Sequence, residues 1–457
     1  MQINYNIYNK SDRKVAVISE HDKEFNISIL VENESDLPLL LQQNEFNILA
    51  FLKSRVQPLD KVDVQKIIKN LEINYDWQEL IVRNSGRVMT DDFYVLKEVD
   101  GVEAEKTNLS GINYIGEVGG CDVTVDFERI PIFKVSKIDC LDTEASTGSY
   151  AKWKKAVTVK GKKRYIWIKA SDMEFGCYGK ESLMEVVVYL LAEALNIKGV
   201  LMYKPCILDI TELNGDVIRT VGCYSFDFTL ENEELVPLYS LLGKRQSTSA
   251  DYRAVIKKMS NTTKISNTEI RNYIDKNILI DALVLNTDRH TGNFGAIKNR
   301  VTGQYRVAPV FDNGYALKGL CDGISKEFTD EDMIDYNVKP FDDFVDVEMT
   351  FTNYSKHDLV QMYININIDK LIEFINVYFE YFGYGYDESW SEEKRAEVDK
   401  LRSKYNTKTD FLNNNRTFLI SAIKRRIEVV LGGEPIECDW YAEQINKRIG
   451  DLKYEGN

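Results

Sequence analysis

Two short segments constrain this chain more than anything else in it: Asn286-Thr287-Asp288-Arg289-His290-Thr291-Gly292-Asn293 and, further on, Ala308-Pro309-Val310-Phe311-Asp312-Asn313-Gly314. The first directly follows an apolar helical pattern. Asp312 stands behind the apolar run Val307 to Phe311, at a distance that a strand-turn-strand closes. The chain must therefore bring a helix end and a strand end to one place, where an Asp, an Asn and a second Asp meet. Short polar residues after a helix also make simple turns, but the recurrence of Asp312 behind the apolar run weighs against that plain reading. Converging oxygen donors of this kind suit phosphoryl transfer, in which one carboxylate orients a hydroxyl and the others hold magnesium on a triphosphate. Asp288 is the expected orienting or deprotonating group, and Asn293 and Asp312 are the expected metal ligands. His290 is expected to brace the loop, with proton relay as its alternative role.

With 457 residues, 44% of them apolar, the chain has material for two or three cores. A formal net charge of −14 works against broad nucleic-acid binding and against docking on an anionic membrane, since both would meet long-range repulsion. Seven cysteines without a C-x-x-C pair suit reduced, buried thiols. The start, Met1-Gln2-Ile3-Asn4-Tyr5, lacks the basic and apolar regions of a secretory signal, and no apolar run reaches the ~18 to 20 residues of a membrane span. The expected compartment is the cytoplasm. Only three histidines are present, which argues against a multi-histidine metal centre.

Period-2 alternation predicts strands around Lys14 to Ile18, Phe25 to Val31 and Asp91 to Leu96, with a helix from Asp36 to Ser54 and a helical pattern at Val64, Ile67, Ile68 and Leu71. Ala156 to Lys169 reads as a hairpin turning at Lys160-Gly161-Lys162, and Gly179 to Asn196 as a helix. Strands are expected around Met202 to Ile210 and Val221 to Thr229. After Pro237 the pattern is helical outside the motif region: Glu269 to Leu285 behind a Ser266-x-x-Glu269 capping box, then Ile368 to Tyr381, Glu392 to Tyr405 and Phe411 to Leu431. The predicted fold class is α+β: a small N-terminal α+β accessory domain (1–140), a β-rich lobe (141–236) and a helical lobe (237–457).

Further residues fit the same chemistry. Ser146-Thr147-Gly148-Ser149 lets backbone N–H groups approach phosphate oxygens, although an ordinary polar turn is an equal reading, and Lys152 adds a charge behind it. Lys169 ends a buried-looking strand, where an unpaired ammonium is costly, so it needs an anionic partner. Glu185 is the first choice and Glu181, one turn earlier, the competitor; the plain reading makes Lys169 a surface lysine and Glu185 a solvated helix position. The connection around Phe226, Asp227 and Phe228 is the expected seat of an adenine.

The N-x-D-R-H-x-G-N-F-G stretch with A-P-V-F-D-N-G, preceded by T-G-S-Y-A-K-W, Y-I-W-I-K and M-E-V-V-V-Y-L-L-A-E-A-L-N-I, resembles the HipA-like kinases, the serine/threonine kinases of bacterial persistence toxin modules. The likeness covers roughly residues 143–317 in consistent order. It implies a bilobed protein-kinase-like fold, with 141–236 as the kinase N-lobe and 237–457 as the C-lobe. It also implies ATP and Mg2+ as cofactors, Lys169 as the ATP lysine, Glu185 as its helix partner, Asp288 as the catalytic aspartate, and Asn293 and Asp312 as magnesium ligands. Gly148 to Lys152 match the family's phosphate-covering loop, which the resemblance implies is autophosphorylated, with inhibition as the expected effect. A protein substrate phosphorylated on Ser or Thr and an antitoxin-like partner follow from the same resemblance. The N-terminal part, with F-L-K-S-R-V-x-P and T-D-D-F-Y, is similar to the leader domain of a Firmicutes branch and departs from the persistence toxins themselves. Two alternatives stand beside this reading: a phosphoinositide-type lipid kinase, which shares D-R-H-x-x-N, and a nucleotide-binding pseudokinase that acts by holding a partner.

Overall fold

This computed structural model describes residues 2–9, 11–33, 36–42, 47–57, 64, 68, 76–88, 93–106, 114–119, 122–126, 129–139, 151–170, 180–230, 232–242, 252–286, 289–317, 354, 356–383, 392 and separate helical positions between 416 and 431. The N-terminal strands form where apolar and polar residues alternate: β1 (Ile3–Tyr8), β2 (Lys14–His21) and β3 (Glu24–Ile29). The helix predicted from Asp36 to Ser54 is not continuous. A 3-10 turn at Leu39–Leu41 is followed by a separate α1 (Ile48–Lys53), because Pro38 lacks an N–H to donate and the Asn47 side chain accepts the Ala50 N–H to start a new helix. Next come α2 (Trp77–Asn84), capped by Asp76, β4 (Tyr94–Val99) and β5 (Val102–Glu103). The five strands make one sheet in the order β3-β2-β1-β4-β5, over a core of its own that includes Tyr5, Ile7, Phe51, Leu52 and Ile81.

The second sheet has six strands, β6-β8-β9-β11-β10-β7. Two of them, β6 (Tyr114–Glu117) and β7 (Ile132–Ser136), precede residue 141, so the expected 140/141 boundary falls between strands of one sheet. They pair in parallel with β8 (Lys152–Val159) and β10 (Tyr203–Thr211), contacts that local periodicity does not encode. The hairpin β8–β9 (Lys162–Ala170) turns through Lys160 and Gly161, both at positive φ, as a two-residue turn matched to strand twist requires. Helix α3 (Lys180–Ala194) lies on one sheet face with Leu183, Val187 and Leu191 in the main core, and β11 (Val217–Phe226) completes the sheet. The opposite face packs Ile166, Ile168, Leu208 and Tyr224 into a smaller core.

Gly222 of β11 shows how tightly this sheet is built, because a Cβ there would stand 2.8 Å from the Lys169 carbonyl oxygen and 2.5 Å from Leu208 Cδ1. Gly222→Ala is expected to cost about 1–3 kcal/mol and to displace β9 at Lys169. Urea unfolding measures the first, and an unchanged midpoint would show that the strands separate more easily than their packing implies.

Beyond the sheet the chain becomes mainly helical. β12 (Glu233–Pro237), α4 (Leu238–Leu242), α5 (Tyr252–Thr263) and α6 (Asn267–Val284) are followed by β13 (Gly295–Asn299) and β14 (Tyr305–Val307), which join β12 in a three-stranded sheet. Ser266 caps α6 as expected, accepting the Glu269 N–H. The sequence reading had no counterpart for α7 (Lys356–Asn365), whereas α8 (Asp369–Gly383) matches the predicted 368–381. Leu419, Ile423, Ile427 and Leu431 bring the last described helical positions into the main core, and of the predicted helix at 392–405 only Glu392 is described. The chain is thus a mixed α+β protein whose sheet-rich part precedes its helical part. Among the described residues, no helix is long and apolar enough to cross a membrane.

Candidate active site

Antiparallel partners share a sheet face, so the register Lys169↔Cys223, Trp167↔Ser225 and Lys152↔Lys169 puts all of these on the face covered by α3. The Lys169 ammonium donates to Glu185 Oε1 at 2.5 Å and to Asp312 Oδ1 at 2.7 Å, and stands 4.9 Å from the centre of the Tyr203 ring. The second oxygen of Glu185 accepts the Asn313 N–H at 2.9 Å. β9, α3 and the segment after β14 are therefore joined at one nitrogen. Lys169 reaches Glu185 and not the competitor Glu181, because Glu185 sits on the α3 face turned to the sheet, its side chain only 2% exposed.

Burial works against the charge on Lys169, but Asp312 and Glu185 outweigh it and the ammonium is held well above its usual range. Burial also pushes Asp312 up, yet Lys169 and then Lys152 dominate and hold it far below the carboxylate range. Glu185 is pushed up by burial, against the pull of Lys169, with the Asp312 charge adding to the rise. Asp312, with a side chain 24% exposed, is therefore the firmly ionised carboxylate of the cluster and is partly open to solvent. Lys152 is lowered by burial, with Asp312 opposing the shift.

A second group of buried residues fixes the motif loop. α6 ends at Leu285, in the left-handed region, and Asn286 donates to Asp281 Oδ1 at 3.1 Å. The Arg289 guanidinium pairs with the Asp281 carboxylate at 3.0 Å, both side chains 0% exposed. Its Nη1 donates to the carbonyls of Phe311, at 2.6 Å, and Asn293, at 3.2 Å, and its Nη2 to Asn313 Oδ1 at 2.6 Å. One guanidinium thus ties the loop of Asn293 to the segment of Asp312. Sequence reasoning passed over Arg289, Asp281 and Tyr203; the available signal was a charged residue, Asp281, inside the apolar run Ile278 to Val284.

The other predicted residues divide. Gly148, Ser149 and Asp288 lie outside the described residues. His290 Nδ1 accepts the Gly292 N–H at 3.0 Å, a contact within the loop. Phe226 pairs with Ile166 and packs with Tyr224, so alternation turns it to the face away from Lys169. Asp227 is on the Lys169 face, where its carboxylate meets Lys154 at 3.1 Å. The Phe228 ring rests 5.4 Å from that of Phe311, so it joins the connection to the Asp312 segment. The structure brings together Lys169, Glu185 and Asp312, with Lys152 in their electrostatic reach, and it leaves Phe226 out.

No known sequence family matches the chain, and no curated protein does. Among solved structures, the chain is similar to the Helicobacter pylori proinflammatory kinase CtkA, at 18% identity and a TM-score of 0.37 over 60% of this chain and 94% of that one. It is also similar to hydra Fam20 with sugar, at 11% identity and a TM-score of 0.28 over 62% and 84% of the two chains. A third likeness is to the Golgi casein kinase, at 11% identity and a TM-score of 0.25 over 59% and 70%. Overlaps this loose carry no argument about chemistry, which rests on the cluster around Lys169.

Proposed function

We propose that the chain is a phosphotransferase that moves the γ-phosphoryl group of MgATP to a Ser or Thr hydroxyl of a protein. The observation that carries this reading is the Lys169 ammonium, shared between Glu185 and Asp312 across three elements of the fold. Glu185 holds Lys169 in place, and the ammonium would turn to phosphate oxygens when a nucleotide enters, with Lys152 on the same face adding positive potential. The donor set fits magnesium: Asp312 offers an ionised carboxylate and Asn293 an amide oxygen, both hard donors, and Arg289 ties the Asn293 carbonyl to that of Phe311, the residue before Asp312. Magnesium takes most of its ligands from phosphates and water, so two protein oxygens suffice. Held by Asp312 and Asn293, the ion would supply positive charge that offsets the charge of the transferring phosphoryl group. Asp288, on the motif loop, is assigned to orient the acceptor hydroxyl and take its proton.

The test is incubation of the purified full chain with γ-labelled ATP, alone and with cell lysate, beside Asp288→Asn. Loss of a positioned base is expected to lower transfer by about 10² to 10⁴-fold with nucleotide affinity nearly intact. Wild-type transfer by Asp288→Asn would remove the residue from its role. Labelling of inositol lipids and not of protein would point instead to a lipid kinase.

A further inference from the structure

The segment between β11 and β12, residues 227–232, links the six-stranded sheet that carries Lys169 to the three-stranded sheet behind Asp312. Both ends are held by charged side chains. On the β11 side, Asp227 Oδ1 accepts from the Thr229 N–H at 3.1 Å and the Thr229 hydroxyl at 2.7 Å, while Asp227 Oδ2 meets Lys154 of β8 at 3.1 Å. On the β12 side, Arg306 of β14 grips Glu233 with two nitrogens, at 3.2 and 2.7 Å, and the second of these also donates to the Phe228 carbonyl at 2.9 Å. Glu233 Oε2 accepts the Leu230 N–H at 2.9 Å. Burial pushes Glu233 up, but Arg306 and the Leu230 N–H together hold it below its ordinary value, so the brace is an ionised pair.

Arg306 lies in the strand that leads directly to Ala308–Phe311, and Phe311 touches the Phe228 ring. The carbonyl and the ring of Phe228 are therefore anchored to the same stretch that carries Asp312. We propose that Arg306 and Glu233 are positioning residues, which set the connection between the two sheets and so align the Lys169 face with Asp312. The inference rests on the nucleotide-site reading above. Neither residue belongs to the motifs, and neither hydrogen-bonds to Lys169. Their effect passes through the path of the backbone. A charged fork that satisfies one carbonyl and one carboxylate together is a role that arginine fills and lysine fills only in part.

The experiment compares the full-length wild type with Arg306→Ala, Arg306→Lys and Glu233→Gln, reading MgATP affinity by calorimetry and the thermal midpoint of the nucleotide-free protein. Arg306→Ala is expected to weaken MgATP about tenfold, the net worth of one charged hydrogen bond, measured at a temperature where the nucleotide-free variant, its midpoint lowered by the unpaired Glu233, is still folded. Arg306→Lys should fall between it and wild type. Glu233→Gln, nearly the same shape, should weaken MgATP in the same direction and guards against a folding defect in the alanine variant. Wild-type affinity in both Arg306→Ala and Glu233→Gln overturns the inference alone. An affinity loss that only tracks unfolding of the nucleotide-free protein also overturns it. A wild-type chain that binds no MgATP removes the nucleotide-site reading and this inference with it.

Discussion

Lys169→Met is expected to lower phosphoryl transfer by at least about 10²-fold, the usual cost of removing a pre-organised electrostatic contact to the reacting group. The substitution also acts on the resting protein. Glu185 and Asp312 lose the cation between them, and two carboxylates that share a buried site cannot both stay ionised. One takes up a proton, and Glu185, already pushed up by burial, is the one expected to do so. Asp312 remains free to hold magnesium, so the variant should retain part of its nucleotide binding while losing rate. Initial rates with γ-labelled ATP and calorimetric affinities separate the two effects. Undiminished transfer by Lys169→Met would show that the ammonium serves only to hold the fold.

Arg289→Ala should have the larger effect on stability. It leaves the Asp281 carboxylate fully buried without its counter-ion, a defect that costs about 3–5 kcal/mol, and it unties the Phe311 and Asn293 carbonyls. Chemical denaturation should show a protein near or beyond its stability limit. Replacing both partners, Asp281→Leu with Arg289→Met, removes the stranded charge and should recover part of the loss. The recovery stays incomplete because the two carbonyls lose their donor, and phosphoryl transfer should not return, since Asn293 and Asp312 are no longer tied. A double variant with wild-type transfer would mean that the guanidinium does not position the site.

The legibility of these features follows the range of the interactions behind them. The β8–β9 hairpin and α3 are written in local periodicity and in one two-residue turn, and the need of a buried ammonium for a carboxylate narrows its partner to Glu185 or Glu181, between which the three-dimensional contact decides for Glu185. Asp312 behind its apolar run was equally local. The Arg289–Asp281 pair was only faintly legible: Asp281 stands inside an apolar run, but a helix-interior aspartate reads as a solvated position until the helix is known to be buried all round. The parallel pairing of β6 and β7 into the second sheet joins segments far apart in sequence, which local periodicity does not encode. Strand alternation divides the connection expected to seat an adenine: Ser225 and Asp227 share the face of Lys169, and Phe226 does not.

The most direct test of the nucleotide site is calorimetric titration of MgATP into the full-length wild type and Asp312→Asn, with and without magnesium. The substitution keeps the size of the side chain, and it removes the charge that Lys169 stabilises and that a metal on the phosphates would meet. Magnesium-dependent binding by the wild type, weakened about tenfold or more in Asp312→Asn, is the predicted result. Equal MgATP affinity in the two proteins, with phosphoryl transfer preserved in Asp312→Asn, would contradict it.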